Sequence, residues 1–179
     1  DRAGRGPGYP AVMKISRAIE FAATPDVVFT MVIDEEFQRR KCIATGSVGH
    51  EVELESMDPP TMVAARIMPT TSFPSFVASM VGPTVRVEEV YVWSGAASDG
   101  SRDAILSVTV GTLPVAMAGL VSLRPGGAGT TLTFDCDITA RIPLIGDKVE
   151  QAAAPAILGA IRYEHETGQA WLGEHTGQA

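Results

Sequence analysis

The last third of the chain sets the tightest limits on what it can fold into. Residues 131–141 alternate, with Leu132, Phe134, Cys136, Ile138 and Ala140 on one face and Thr133, Asp135, Asp137, Thr139 and Arg141 on the other. That is the period of a strand with one solvated face. Ile142-Pro143-Leu144-Ile145-Gly146 then bridges directly into a helical run ending near Leu172. Ile145, Val149, Ala152, Ala156, Ala160, Tyr163, Thr167 and Trp171 fall on one stripe of that run, with small residues in its middle. A two-faced strand feeding a long helix through one short turn predicts a curved sheet that grips the helix, a shape that encloses a pocket. Pro155 removes a backbone donor deep inside the run, so a kink is expected there.

The rest of the chain supplies the sheet. Residues 12–22 read as the first strand, with Met13, Ile15, Ile19 and Phe21 on one face; Arg17 falls on that same apolar face. Thr24-Pro25-Asp26 opens a short helix to about Ile33, and Asp34 caps a second over 35–45, closed by Gly46. In 48–57, Val48, His50, Val52 and Leu54 alternate with Glu51, Glu53 and Glu55. Asp58-Pro59-Pro60 turns the chain into a strand over 61–68. Pro69, Pro74 and Pro83 frame an apolar piece, Phe73 to Val81, that reads as one or two helical turns and as a lid over the pocket. Residues 84–94 and 102–110 form a hairpin about Ser98-Asp99-Gly100, 115–123 is the next strand, and Pro125 to Gly129 turns into the last.

Composition excludes several functions. A chain of 179 residues with 45% hydrophobic side chains is most simply one domain with a sizeable core. Its net charge of −7, and its lack of any extended Lys/Arg block, argue against nucleic acid and anionic bilayers. The longest apolar runs, 113–123 and 152–161, are too short to span a membrane, so no integral membrane contact is expected. Cys42 and Cys136 read as reduced, buried thiols of a cytoplasmic protein. His50, His165 and His175 lack metal-ligand spacing. The glycines of 125–129 sit between two strands and make a hairpin, not a phosphate loop, and no nucleophile elbow is present. No cofactor is expected. Residues 1–11, rich in Gly and Pro, read as a leader or cloning remnant outside the fold, with Met13 as a possible natural start; 12–175 form the domain and 176–179 a tail.

The order strand, two short helices, six strands, one long helix resembles that of the helix-grip superfamily: birch-pollen-type allergens, START lipid-transfer domains and bacterial polyketide cyclases (SRPBCC). Thr24-Pro25-Asp26-Val27-Val28-Phe29 is similar to that superfamily's first-helix opening, and Arg141 to Glu150 to its lead into the last helix. The resemblance covers residues 12–175, and is greatest to a bacterial branch described as a domain of unknown function. It implies an α+β fold: a seven-stranded curved antiparallel sheet gripping a long C-terminal helix, with two short helices after the first strand. The fold hosts binders, transporters and enzymes alike, so it does not decide function.

Candidate ligand-binding residues follow from faces. Met68, Phe76, Met80, Met117, Phe134, Ile138, Val149 and Ile157 are the apolar candidates, either lining a pocket or packing as core. Arg17 and His50 fall inward by alternation. An inward Arg would bind a carboxylate bidentately and His50 would serve as an acid or base; the plainer reading of each is a satisfied salt bridge or a place at the sheet rim. If Val85 and Val87 face in, Glu89 and Tyr91 follow them. The function expected is binding of a hydrophobic small molecule or lipid in an internal cavity, as a carrier or sensor. A cyclase- or dehydratase-like enzyme, and a partner-binding module without ligand, remain as alternatives. No catalytic residue stands out, and the oligomeric state is not legible.

Overall fold

The computed structural model of the chain describes residues 12–176. The expectations for residues 1–11 and for most of the tail therefore lie outside the described residues. The elements run β1 (Met13–Phe21), α1 (Pro25–Val32), α2 (Glu35–Ala44), β2 (Gly49–Met57), β3 (Pro60–Pro69), a 3-10 turn (Thr70–Ser72), α3 (Ser75–Val81), β4 (Thr84–Trp93), β5 (Arg102–Val110), β6 (Val115–Gly126), β7 (Gly129–Ala140) and α4 (Gly146–Thr176). All seven strands join one curved antiparallel sheet in the order β1-β7-β6-β5-β4-β3-β2. Every neighbour but one is a sequence neighbour joined by a hairpin or a short connection. The exception, β1 beside β7, brings the two ends of the domain together. β1 and β2 are left as the sheet's edges.

Local chemistry sets most boundaries. The Asp34 carboxylate accepts the Phe37 N–H at 2.7 Å and so caps α2. Pro25 stands at the first position of α1, where a missing N–H costs nothing, but the Thr24 side chain makes no capping bond. β6 and β7 reach further than alternation predicts and meet in a tight Gly126–Gly129 hairpin. The turn residues Pro125 and Gly126 pair across it and are drawn into the ladder. α4 is one helix with Pro155 inside it.

The core occupies one half of the concave face. Phe21, Val28, Met31, Phe37, Met62, Trp93, Val121, Leu123 and Leu132 are all buried there, beneath α1, α2 and the second half of α4. α4 packs closely onto the core at Gly168. A Cβ at that position would stand 2.6 Å from the Phe21 ring and 3.0 Å from the Met31 methyl, so only glycine permits the approach. The buried positions of α4 are Val149, Glu150, Ile161, Glu164, Gly168, Trp171 and Leu172. The stripe drawn from sequence is therefore displaced: it followed the small residues, and Ala156 at its centre is exposed.

Candidate functional site

Along β4 the inward side chains are Val85, Val87, Glu89, Tyr91 and Trp93, which resolves the phase of that strand. Trp93 belongs to the solid half, with Phe29 edge-on at 5.7 Å and the Tyr91 ring stacked beside it. Towards the opposite end of the same strand the packing stops. A pocket of about 520 Å³ lies between the sheet and the first half of α4. Its walls are apolar: Val87 from β4, Leu106 and Val108 from β5, Met117 from β6, Phe134 and Ile138 from β7, and Val149, Ala153 and Ile157 from α4. Pro74, Pro155 and Ala156 line it yet remain exposed, so they mark its mouth. Phe73 and Val77 from the α3 segment border the same opening.

The inner end is charged. Lys41 from α2, Arg66 from β3, Glu89 and Tyr91 from β4 and Glu164 from α4 all line the pocket and all are buried. Lys41 Nζ lies 3.1 Å from Glu89 Oε2 and 3.3 Å from Glu164 Oε2. Arg66 Nη2 donates to Glu89 Oε1, and the Tyr91 hydroxyl donates to Glu89 Oε2 at 3.3 Å. Lys41 Nζ also stands 5.1 Å from the centre of the Tyr91 ring, a cation–π distance. Two cations thus face two carboxylates, from four different elements.

Burial works against every charge here, and the partners decide who keeps it. Burial would lower Lys41, but Glu164 and Glu89 overcome it and hold the ammonium well above the ordinary lysine range. Burial would raise Glu89, but Arg66 and Lys41 pull its carboxyl down to about 2. Among the described residues Glu164 has Lys41 alone for a cation partner at bonding distance, and burial prevails: its carboxyl is held above the usual range. Burial also pushes the Tyr91 phenol well up, so it stays a neutral donor. Cys136 on the pocket wall is raised to about 11 by burial and by Asp135 and Asp137 beside it, which keeps it a thiol and not a nucleophile. Among the described residues, no group of three His, Cys, Asp or Glu side chains could hold a metal ion, and no helix is long and apolar enough to cross a membrane.

A family model described as "Protein of unknown function (DUF2505)" matches residues 17–172. The chain belongs to the DUF2505 family. No curated protein matches its sequence. Its fold is similar to that of TTHA0849 from Thermus thermophilus, at 16% identity and a TM-score of 0.59 over 89% of this chain and 98% of that one. It is also similar to StfQ, a di-domain ARO/CYC of the steffimycin biosynthetic pathway, at 13% identity and a TM-score of 0.62, over 93% of this chain and 52% of the larger one. A START superfamily protein from Mycobacterium smegmatis matches at 15% identity and a TM-score of 0.56, over 88% of this chain and 98% of that one. At these identities the likeness establishes the helix-grip fold and leaves chemistry to the site itself.

In this DUF2505 chain, eight of the residues singled out by sequence lie on the pocket: Met68, Glu89, Tyr91, Met117, Phe134, Ile138, Val149 and Ile157. Four do not. Arg17 and His50 are exposed, although they share the phase of buried or half-buried neighbours. Both stand on edge strands, where a long polar side chain reaches solvent without crossing another strand. Phe76 and Met80 project from α3, a helix with no buried residue, whose pocket side is taken by Pro74 and Val77. Sequence reasoning missed Lys41, Arg66 and Glu164. Each carries a signal of the same kind, a charge at an apolar-face position. Arg66 is in phase with Met62, Ala64 and Met68; Lys41 is four residues after Phe37; Glu164 is three after Ile161 and four before Gly168.

Proposed function

We propose that this chain binds a hydrophobic small molecule or lipid in the pocket beneath α4. The observation that carries the reading is the pocket itself, about 520 Å³ with apolar walls and polar groups gathered at one end. That is the size and make-up of a small-molecule site. Left empty, such a volume would cost on the order of 10 kcal/mol at roughly 24 cal/mol per Å³, comparable to the whole stability of a domain. Structures of the same fold named as lipid-transfer proteins, one from Xanthomonas axonopodis and one the human StarD13 domain, support the same reading.

The test is native mass spectrometry of the purified chain followed by lipid extraction, joined to a thermal-shift screen of acyl chains, sterols and aromatic polyketides. A ligand at a hundredfold excess over its Kd stabilises by about 2.7 kcal/mol, a shift of several degrees for a domain of this size. Phe134→Arg fills the pocket with a charge and abolishes the shift. If no compound moves the melt and nothing is extracted, the binding reading falls.

One observation favours a second reading, a cyclase- or dehydratase-like enzyme. Glu164 is a buried carboxylate, ion-paired to Lys41, whose affinity for a proton is raised by burial beside an apolar pocket and a neutral phenol. Such groups serve as general acids. Turnover of a poly-β-ketone that vanishes in Glu164→Gln while binding persists would establish it; binding with no turnover in the native chain would exclude it for that substrate.

A further inference from the structure

The charged end of the pocket has a count of charges and a count of free hydrogen-bonding positions, and together they define a head group. Both oxygens of Glu89 are engaged: Arg66 meets Oε1, and Lys41 and Tyr91 meet Oε2. In Glu164 only one is, because Lys41 meets only its Oε2. Glu164 Oε1 and the Nε and Nη1 of Arg66 make no hydrogen bond to another described residue, yet none of these atoms is sealed from contact. Both side chains line the pocket. The Lys41 ammonium has three protons and two carboxylate partners. The site therefore offers one carboxylate oxygen with no partner, and several donors.

Charge adds the selective element. Lys41 and Arg66 are matched one for one by Glu89 and Glu164, all four buried. A carboxylate arriving here would be a third anion beside two cations in a desolvated site, and it would face Glu164 directly. Burying an unmatched charge is costly unless a proton comes with it. A hydroxyl brings no charge. It donates to Glu164 Oε1 and accepts from Lys41 or Arg66, which meets the spare capacity on both sides. Specificity built this way rests on the misfit of the wrong head group as much as on the fit of the right one.

We infer that the inner end of the pocket selects an uncharged apolar molecule carrying a hydroxyl group, and rejects the same skeleton ending in a carboxylate. The inference rests on the hydrophobic-ligand reading above and narrows it to a ligand class. An ether, which accepts but does not donate, leaves Glu164 Oε1 unfilled and is the intermediate case.

The experiment is calorimetric titration of the full chain with decan-1-ol, decanoate and 1-methoxydecane near pH 8, where decanoate is ionised. The alcohol is expected to bind about tenfold or more tightly than either of the others. Glu164→Gln is nearly isosteric and leaves one buried cation unmatched, so in that variant decanoate gains on the alcohol and the preference narrows or inverts. If decanoate equals or exceeds decanol in the native chain, or the methyl ether equals decanol, the head-group inference is overturned while the pocket remains a ligand site. If none of the three binds and no apolar compound shifts the melt, the hydrophobic-ligand reading itself fails. The native chain decides the matter even if Glu164→Gln does not fold.

Discussion

The two halves of the concave face are built from the same strands and the same helix, and one is solid where the other is hollow. In the solid half, Gly168 lets α4 press onto Phe21 and Met31, and α1 and α2 add Val28, Phe29 and Phe37. In the hollow half, the helix presents Ala152, Ala153, Ala156, Gly159 and Ala160, and no second helix fills the space above Met117 and Ile138. Small residues thus have opposite effects on one helix. Where the backbone sits on the sheet, the missing side chain allows contact; where it stands off, the missing side chain leaves room. The ion network of Lys41, Arg66, Glu89 and Glu164 lies between the halves, floor to one and ceiling to the other.

The boundary between the halves is the most sensitive place in the fold. Lys41→Met strips Glu164 of its cation and leaves Glu89 with Arg66 alone, and is expected to cost about 3–5 kcal/mol in denaturant unfolding. Replacing Lys41 and Glu164 together by Met and Leu should recover much of that loss, because the Arg66–Glu89 pair stays matched and no unpaired charge is left buried. If Lys41→Met is neutral, the network is not sealed and the halves are not separated by it.

Truncation of side chains comes next and should divide along the same line. Phe21→Ala, in the solid half, removes a ring packed against α4 and is expected to cost about 3–5 kcal/mol. Met117→Ala or Ile157→Ala enlarges a space that is already open, and each should cost under about 1 kcal/mol. Equal costs on both sides, measured by urea titration, would show that the pocket closes in solution.

The pH profile reads the network itself. Glu89 protonates near 4.5 when unfolded but only at about 2 when folded. In that window the unfolded chain binds more protons, so the Glu89 contribution, on the order of a few kcal/mol, is full above about pH 4.5 and is lost as pH falls towards 2. Glu164 acts the other way. Burial raises its folded value, so the folded chain takes up that proton first and gains stability as pH falls towards 4.5. Stability should therefore peak in weak acid. Glu89→Gln should flatten the acid limb and Glu164→Gln the neutral one, in urea midpoints taken across pH 2–8.

The mouth of the pocket should respond least. α3 has no buried residue and is framed by Pro74 and Gly82. Its amides should be among the least protected of the described residues in hydrogen exchange and should slow when the pocket is filled. Protection equal to that of β6 and β7 in the free chain would make α3 a fixed wall.

The container is legible in the chain's local patterns. Alternation over 48–57 and 131–141, the Asp34 cap, the proline-framed segment and the long terminal helix are local patterns, and each is legible because its physical cause acts within a few residues. The same is true of Phe134, Ile138 and Met117, whose side of the sheet follows from the pleat. The charged network inside it comes from long-range assembly. Lys41, Arg66, Glu89 and Glu164 lie as far as 123 residues apart, and no local rule pairs them. Their burial depends on partners supplied by four separate elements, so a charge on an apolar face reads as an oddity until those elements meet. Arg17 and His50 show the converse: they share the inward phase but stand on edge strands, and which strand becomes an edge is settled by long-range pairing alone. The rotation of α4 belongs to the same class, because Gly168 against Phe21 fixes it, a contact between residues at opposite ends of the domain.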